Sequence, residues 1–273
     1  MNQLKAACLT ALLIAALAAI AVPANTDIRP GQPWLDTQGE LINAHGFCIL
    51  HHENTYFKLY PPKEQGGKTG KDHAYVGVAT AATPTGAFEY QGKFLGGGSA
   101  TGSGDFAIFQ DTDGAAYHIA VRKPDETRKD KPLVCGLLSA DGLKPAGGYE
   151  VMEGVMNATE APALFRRAGK YYLLGSGSTG WAPNAARMFV ADHLTGPYQS
   201  LGNPCRGVNP HNHLGPEKTF GGQSTFVFPV PGKTDKWIAM FDLNQPKDPV
   251  NSGYLWLPLE FDGDNQPTIT WKP

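Results

Sequence analysis

Cysteine is scarce in this chain, with 4 among its 273 residues. Cys8 lies in an apolar N-terminal run, which leaves Cys48, Cys135 and Cys205, an odd number without close pairs. This spacing excludes a zinc site built on paired cysteines and allows at most one disulfide bond within the chain. Buried thiols are expected at Cys48 and Cys135, because free cysteine behaves as a small apolar residue.

An excess of charge of one sign is also lacking. Lys and Arg number 23 against 25 Asp and Glu, and charged residues make up only 18% of the chain. No basic stripe indicates nucleic acid as a partner, and no acidic tail indicates disorder. Beyond the N-terminus the chain has no apolar run of membrane length and no long window of helical periodicity.

Glycine and proline are plentiful, at 33 and 22 residues. Both favour turns, so this composition predicts many short strands in place of long helices. The length is sufficient for a sizeable core, in one large all-β domain or two small ones. Because no stretch marks a domain boundary, we expect one domain over residues 25–273.

The N-terminus has the pattern of an export signal. Lys5 gives a short basic region, residues 9–22 are apolar, and Val22-Pro23-Ala24 offers a cleavage site of small residues. A retained membrane anchor is the alternative interpretation. We expect residues 1–24 to be a signal peptide, so that the mature protein is secreted or periplasmic and has no membrane partner after cleavage.

Four hairpins repeat along the chain with a period of about sixty residues. Each has an apolar strand, a polar or glycine-containing turn such as Asp113-Gly114, and an aromatic second strand. Further apolar strands lie between the hairpins. The hairpins cover residues 47–60, 106–121, 163–175 and 226–240, and the further strands cover residues 74–80, 133–139, 187–192 and 254–261.

Each repeat therefore resembles one four-stranded antiparallel blade, and such units bury their faces by stacking radially. The fold class is predicted to be an all-β propeller. A β-sandwich is the competing all-β fold, but sandwiches show no regular repeat of this length.

In a propeller the innermost strand of each blade begins beside the central channel. The residues that precede the four hairpins supply His45, Asp105, Glu160 and Gln223. Two carboxyl groups aimed at one pocket are the minimum equipment for glycoside hydrolysis, because one acid protonates the leaving oxygen while a group opposite handles water. These side chains are therefore candidate catalytic or binding groups.

Several stretches in order, among them "SGDFAIFQDTDGAAY", "TEAPALFRRAGKYYLLGSGSTGWAPN" and "GGQSTFVFPV", resemble glycoside hydrolase family 43, above all its exo-β-1,3-galactanase-related branch. The resemblance implies a five-bladed propeller that hydrolyses arabinose-, xylose- or galactose-containing glycans with inversion. It implies that Glu160 is the general acid and that Asp105 orients this acid and tunes its pKa. In that branch a glutamine replaces the usual aspartate base, and Gln223 matches its position, where its carbonyl could position water.

The resemblance also extends to sugar binding. His45, Thr179, Trp181 and Asn184 are expected to contact an oligosaccharide or polysaccharide substrate, with structural roles as the alternative for His45 and Trp181. No metal ligand set and no cofactor are predicted.

One departure from the family is a missing segment. Between the hairpin at 47–60 and the strands from 74 onwards, the family carries about one more blade, whereas this chain has a dozen polar residues. Either the propeller is smaller, or the first hairpin pairs with strands that belonged to the second blade. A channel carboxylate is lost with this segment. The sequence therefore predicts an exo-acting, inverting glycosidase, with a catalytically impaired glycan-binding propeller as the alternative, and leaves the oligomeric state open.

Overall fold

A computed structural model describes residues 28–36, 38–42, 48–52, 54–60, 74–180, 182–245, 248 and 251–272. Within these ranges the strands are β1 (Cys48–His52), β2 (Thr55–Tyr60), β3 (Tyr75–Ala81), β4 (Glu89–Leu95), β5 (Ser103–Gln110), β6 (Ala116–Arg122), β7 (Leu133–Leu137), β8 (Glu150–Val151), β9 (Thr159–Arg167), β10 (Lys170–Gly177), β11 (Arg187–Ala191), β12 (Gln199–Gly202), β13 (Cys205–Arg206), β14 (Gln223–Pro229), β15 (Trp237–Leu243), β16 (Gly253–Phe261) and β17 (Pro267–Thr270). A short 3₁₀ helix covers Pro216–Gly221.

The strands form four sheets, which are the blades of a propeller. Blade 1 contains β1 to β4, blade 2 contains β5 to β8, and blade 3 contains β9 to β12, each in simple antiparallel order. Blade 4 contains β14 to β17 and adds β13 as a parallel edge strand beside β17. The predicted all-β propeller with four repeat units is confirmed, and the sandwich alternative is wrong.

The four predicted hairpins are present as β1–β2, β5–β6, β9–β10 and β14–β15. Residues with left-handed backbone form the turns of these hairpins. In the β9–β10 hairpin Ala168 and Gly169 both have positive φ, at 49° and 80°. Two consecutive left-handed residues match the twist of a two-residue hairpin. This turn chemistry explains why the hairpin could be predicted from the sequence of its turn.

The hairpin β1–β2 pairs directly with β3, in register from Tyr56 opposite Ala81 to Tyr60 opposite Gly77. Blade 1 is therefore completed by the strands that follow the shortened segment. The described residues form four blades, one fewer than the resemblance implies, so the predicted smaller propeller is confirmed. The polar crossover at residues 61–73 lies outside the described residues.

The core lies between neighbouring blades, whose first strands follow one another around the channel. Strand β1 contacts β5, β5 contacts β9, and β9 contacts β14. Apolar side chains of blades 3 and 4, including Tyr172, Leu174, Phe241 and Leu257, are fully buried against each other. Removing this apolar area from water is the main stabilising contribution, and it fixes the relative position of the inner strands.

Residues 28–42 pack on blade 4. The ring of Trp34 lies 4.8 Å from that of Trp256 and 5.4 Å from that of Tyr254, and the Tyr254 hydroxyl donates to the carbonyl of Ile42. The first part of the described chain is thereby joined to its last blade. The predicted signal peptide lies outside the described residues.

Cys48, Cys135 and Cys205 are free thiols. Cys135 and Cys205 are buried and Cys48 is half-buried, so the expectation of a buried thiol is confirmed for Cys135 and met in part at Cys48. Within the described ranges, the helical structure is too short to cross a membrane.

Candidate active site

Three inner strands carry a β-bulge at the same height. Strand β5 has an extra residue between the pairs Ser103–Arg122 and Phe106–Ala120. Strand β9 has one between Glu160–Ser176 and Ala163–Leu174, and β14 has one after Ser224. Bulges bend a strand and re-aim its side chains, and they are common beside active sites. The bulge in β5 contains Asp105, the bulge in β9 directly follows Glu160, and the bulge in β14 begins two residues after Gln223.

The bulge in β9 explains the dipeptide that follows Glu160. Ala161 has left-handed backbone with φ of 53°, and Pro162 follows it inside the strand. Proline has no N–H to donate to a ladder, so within sheets it is confined to edges and bulges. The prediction that Asp105, Glu160 and Gln223 precede their strands is wrong, because β5, β9 and β14 continue through the bulges and include all three.

The structure brings Glu160 and Gln223 into direct contact. The Gln223 Nε2 donates to Glu160 Oε1 at 3.3 Å and to Ser176 Oγ at 3.0 Å. Ser176 is buried and lies opposite Glu160 in the β9–β10 ladder. Both amide hydrogens of Gln223 are therefore occupied, and the carbonyl oxygen is the atom of this side chain that is left to accept a hydrogen bond.

Asp105 is tied to the same bulge. Its carboxylate accepts a hydrogen bond from the backbone N–H of Ala161, while the Ala161 carbonyl accepts one from Ser224 Oγ at 2.7 Å. The bulge residue thus links β5, β9 and β14 through its own backbone. This arrangement holds the three candidate side chains at one end of the channel.

The pKa of Asp105 is raised from its ordinary value. The main cause is desolvation by the surrounding protein, although Asp105 keeps an exposed surface, and the second cause is the negative charge of Glu160. The hydrogen bond from Ala161 acts in the opposite direction. A carboxyl group whose pKa is raised by burial and by a neighbouring charge is a candidate functional group.

We expect Asp105→Asn to stabilise the protein at neutral pH. The folded state binds the Asp105 proton more tightly than the unfolded state, in which the carboxyl pKa is about 3.9. The parent protein therefore loses stability as the pH rises from about 3.9 through the raised pKa, and the amide avoids this loss. Thermal unfolding of both proteins from about pH 4 to about pH 8 should show a difference that grows with pH. Equal melting temperatures at neutral pH would contradict the raised pKa of Asp105.

The loop directly before β14, the strand that begins with Gln223, is held in place by several hydrogen bonds. Thr219, Phe220 and Gly221 all have left-handed backbone, with φ of 48°, 59° and 95°. The side chains of Asn209 and Asn212 both donate to the Phe220 carbonyl, and Thr219 Oγ1 donates to the Asn184 carbonyl at 2.6 Å. Left-handed backbone at residues other than glycine costs free energy and persists only where the surroundings enforce it. Sequence analysis missed this loop.

Thr179 and Asn184 are committed to hydrogen bonds within their own loop. The Asn184 side chain accepts from the Gly177 N–H and donates to the Gly177 carbonyl and Thr179 Oγ1, while Thr179 Oγ1 donates to the Ala182 carbonyl. These hydrogen bonds stabilise the loop, so both residues have a structural role. Their role in sugar binding stays a prediction. His45 and Trp181 lie outside the described residues.

Arg187 is a second residue that sequence analysis missed. Its Nη1 donates to the Ala158 carbonyl at 3.2 Å and to Thr159 Oγ1 at 2.9 Å. Ala158 has a φ of 56°, so the guanidinium holds a left-handed residue directly before the strand that carries Glu160. The sequence shows only that Arg187 stands at the start of a predicted strand, which does not indicate these contacts.

Two cavities adjoin these residues. A small one of about 10 Å³ is lined by Ser176, Asn184, Gln223 and Asn244, among others, and is close to the lower limit for one water molecule. A larger one of about 360 Å³ lies above blade 3 and shares Asn184 with the first. The site is thus a small polar pocket that includes Gln223, the hydrogen-bond partner of Glu160, with a larger cavity next to it.

Comparison with known proteins matches the chain to one family of glycosidases. The model of glycosyl hydrolases family 43 matches residues 29–262. A family 43 β-1,3-galactosidase solved with galactodeoxynojirimycin is 25% identical, with a TM-score of 0.69 over 90% of this chain and 99% of that chain. A second family 43 β-1,3-galactosidase is 24% identical, with a TM-score of 0.70 over 91% of this chain and 63% of its own.

An exo-β-1,3-galactanase from Phanerochaete chrysosporium, solved with β-1,3-galactotriose, is 24% identical, with a TM-score of 0.67 over 89% of this chain and 66% of its own. No curated protein sequence matches the chain significantly. The family match extends over most of the chain, and the four-bladed structure aligns with family 43 propellers. The chain therefore belongs to glycosyl hydrolase family 43 and is a glycosidase that hydrolyses O-glycosyl bonds.

Proposed function

We propose that the protein is an exported, inverting, exo-acting glycosidase that releases galactose from β-1,3-linked galactan chains. The similar solved structures are β-1,3-galactosidases and an exo-β-1,3-galactanase, which favours galactose over arabinose as the released sugar. The proposed export is supported by the signal-peptide pattern of residues 1–24. Sequencing the N-terminus of protein recovered outside the cytoplasm tests it.

The observation that carries the proposal is the convergence of Asp105, Glu160 and Gln223 from three neighbouring inner strands. We assign the general acid to Glu160, which donates its proton to the glycosidic oxygen as the bond to the anomeric carbon breaks. Asp105 orients and tunes this acid through the Ala161 backbone and its own nearby charge.

Gln223 has the role of positioning water. In the resting site its two N–H groups are held by Ser176 and Glu160. When a sugar is bound, the contact with Ser176 still orients the amide, so its carbonyl can accept a hydrogen bond from a water molecule that attacks the anomeric carbon. An amide is barely basic, so it orients this water while the proton that the water loses passes to solvent. One bond to the anomeric carbon is broken and one is formed on the opposite face, which inverts its configuration.

The resting site is narrower than this reaction requires. The acid and the group opposite it are about 6.5–9.5 Å apart in inverting enzymes, since a sugar carbon and a water lie between them. Here Gln223 Nε2 and Glu160 Oε1 are 3.3 Å apart. We infer that the bound sugar separates these side chains, while the contact with Ser176 keeps the amide oriented.

Stereochemistry tests the mechanism. We expect the first sugar released from a β-1,3-galacto-oligosaccharide to be the α-anomer, because water attacks opposite the departing oxygen. Proton NMR in the first minutes of hydrolysis distinguishes it from the β-anomer before mutarotation mixes them. Release of the β-anomer would exclude inversion.

The substrate class needs a separate assay on a panel of β-1,3-galactan, arabinan and aryl glycosides. Hydrolysis of β-1,3-galactan from its chain end supports the proposal. Binding of these glycans by folded protein without any hydrolysis would overturn it.

A further inference from the structure

The larger cavity lies at the same end of the molecule as Glu160. It is formed where β10 ends, β11 begins and β12 ends, and its walls include Met156, Gly177, Arg187 and Ser200. Its volume of about 360 Å³ lies within the usual range for ligand sites, about 300–1,000 Å³. It shares Asn184 with the small cavity beside Gln223, so the two cavities lie on either side of one residue.

Most polar side chains around this cavity are already engaged. Asn184 uses its amide on Gly177 and Thr179. Asn203 donates to the Pro216 carbonyl and accepts from the Cys205 N–H. These amides shape the wall, and they leave little capacity for hydrogen bonds to a ligand.

The strongest hydrogen-bond donors that remain are on Ser200 and Arg187. Ser200 Oγ accepts from the Gly202 N–H, which leaves its own hydroxyl hydrogen available. Arg187 engages only Nη1 with other described residues, so the N–H groups on Nε and Nη2 remain for a ligand. In the described part of the chain the cavity is lined by no Asp or Glu. With free guanidinium N–H groups and no carboxylate in its lining, the cavity favours a ligand group that accepts hydrogen bonds and carries a negative charge.

We propose that the cavity binds an anionic sugar unit, carrying a carboxylate or a sulfate ester, elsewhere on the glycan that the enzyme cleaves. Arginine pairs with such groups through two parallel hydrogen bonds, and the Ser200 hydroxyl supplies a third donor. Only the statement that this unit is part of the substrate depends on the proposed function. The Asp105–Glu160 pair would repel an anion, so the catalytic pocket does not offer an alternative position for it.

The test places a negative charge at the rim without changing Arg187, which also supports β9. Ser200→Asp puts a carboxylate in the cavity, and Ser200→Asn is its neutral counterpart of similar shape. Gln199→Asp is the matched control, because Gln199 is the adjacent exposed residue of β12 but does not line the cavity.

We expect kcat/KM of the parent enzyme to be about tenfold higher for a galacto-oligosaccharide with a uronate or sulfated unit than for its neutral analogue. Ser200→Asp should remove this preference and Ser200→Asn should keep most of it, while Gln199→Asp should match the parent enzyme. The preference should weaken with salt, since exposed charges are screened. Comparing the uronate and sulfate substrates identifies which anion is recognised.

Calorimetry separates this inference from the proposed function. D-galacturonate and D-galactose 6-sulfate should bind the parent protein and the Gln199→Asp variant, and should bind Ser200→Asp about tenfold more weakly. This result supports the cavity even if neutral galactan is not hydrolysed. Equal binding of either anion by Ser200→Asp and Gln199→Asp, or an equal kcat/KM for acidic and neutral substrates, would overturn it.

Discussion

Replacement of Glu160 by Gln is expected to lower the hydrolysis rate of natural galactan by about 10²–10⁴-fold. The amide keeps the shape of the side chain but cannot donate a proton to the departing sugar oxygen. A dinitrophenyl galactoside has a leaving group that needs little protonation, so its rate should fall far less. The ratio of the two rates, measured in parent and variant, isolates acid catalysis from substrate binding.

Glu150→Gln is the matched control, because Glu150 is an exposed glutamate on β8, in the neighbouring blade. It should leave both rates unchanged. Asp105→Asn should slow galactan hydrolysis and shift the acidic side of its pH profile, since it changes the charge beside the acid. A folded Glu160→Gln protein that hydrolyses galactan at the parent rate would remove Glu160 from the mechanism.

Replacement of Gln223 by Ala should lower kcat by on the order of 10²-fold, with a smaller change in KM, because misplacing one reacting molecule by about 1 Å can cost that much. The missing carbonyl leaves the attacking water without its acceptor. Galactan and dinitrophenyl galactoside should be affected alike, since both need the water. This shared loss distinguishes Gln223 from Glu160.

Ser176→Ala tests whether the amide must be held by β10. It removes the acceptor that lies 3.0 Å from Gln223 Nε2, and we expect a smaller loss of kcat than in Gln223→Ala. In a double-mutant cycle the serine change should have no further effect once Gln223 is alanine. Independent, additive losses would show that Ser176 acts other than through this amide.

The hairpins were predictable because their information is local. Ala168 and Gly169 supply the left-handed pair that the turn needs, and apolar side chains alternate on either side of it. The strand starts were not predictable from alternation, because the bulges at Asp105 and Ala161 interrupt its period of two. In β9 the one sequence clue to the bulge was Pro162.

The sequence predicted which residues form the candidate site, but it did not predict the hydrogen bonds that hold the neighbouring loops in place. Glu160 and Gln223 are 63 positions apart in the chain and meet only because neighbouring blades pack together. The contacts of Asn209, Thr219 and Arg187 depend on left-handed backbone that sequence patterns do not show at residues other than glycine. Such strain is specified by tertiary contacts, so these supports were found only in the structure.

The packing of residues 28–42 on blade 4 affects the order in which the chain folds. The hydrogen bond from Tyr254 to Ile42 joins residues 212 positions apart, and the Trp34 and Trp256 rings meet over a similar separation. Contacts of such long range carry a large loop-closure entropy and form slowly. During synthesis blades 1 to 3 emerge before the partner of Trp34 exists, so the N-terminal segment stays unattached until β16 has been made. The contact between residues 28–42 and blade 4 is therefore expected to be among the last to form.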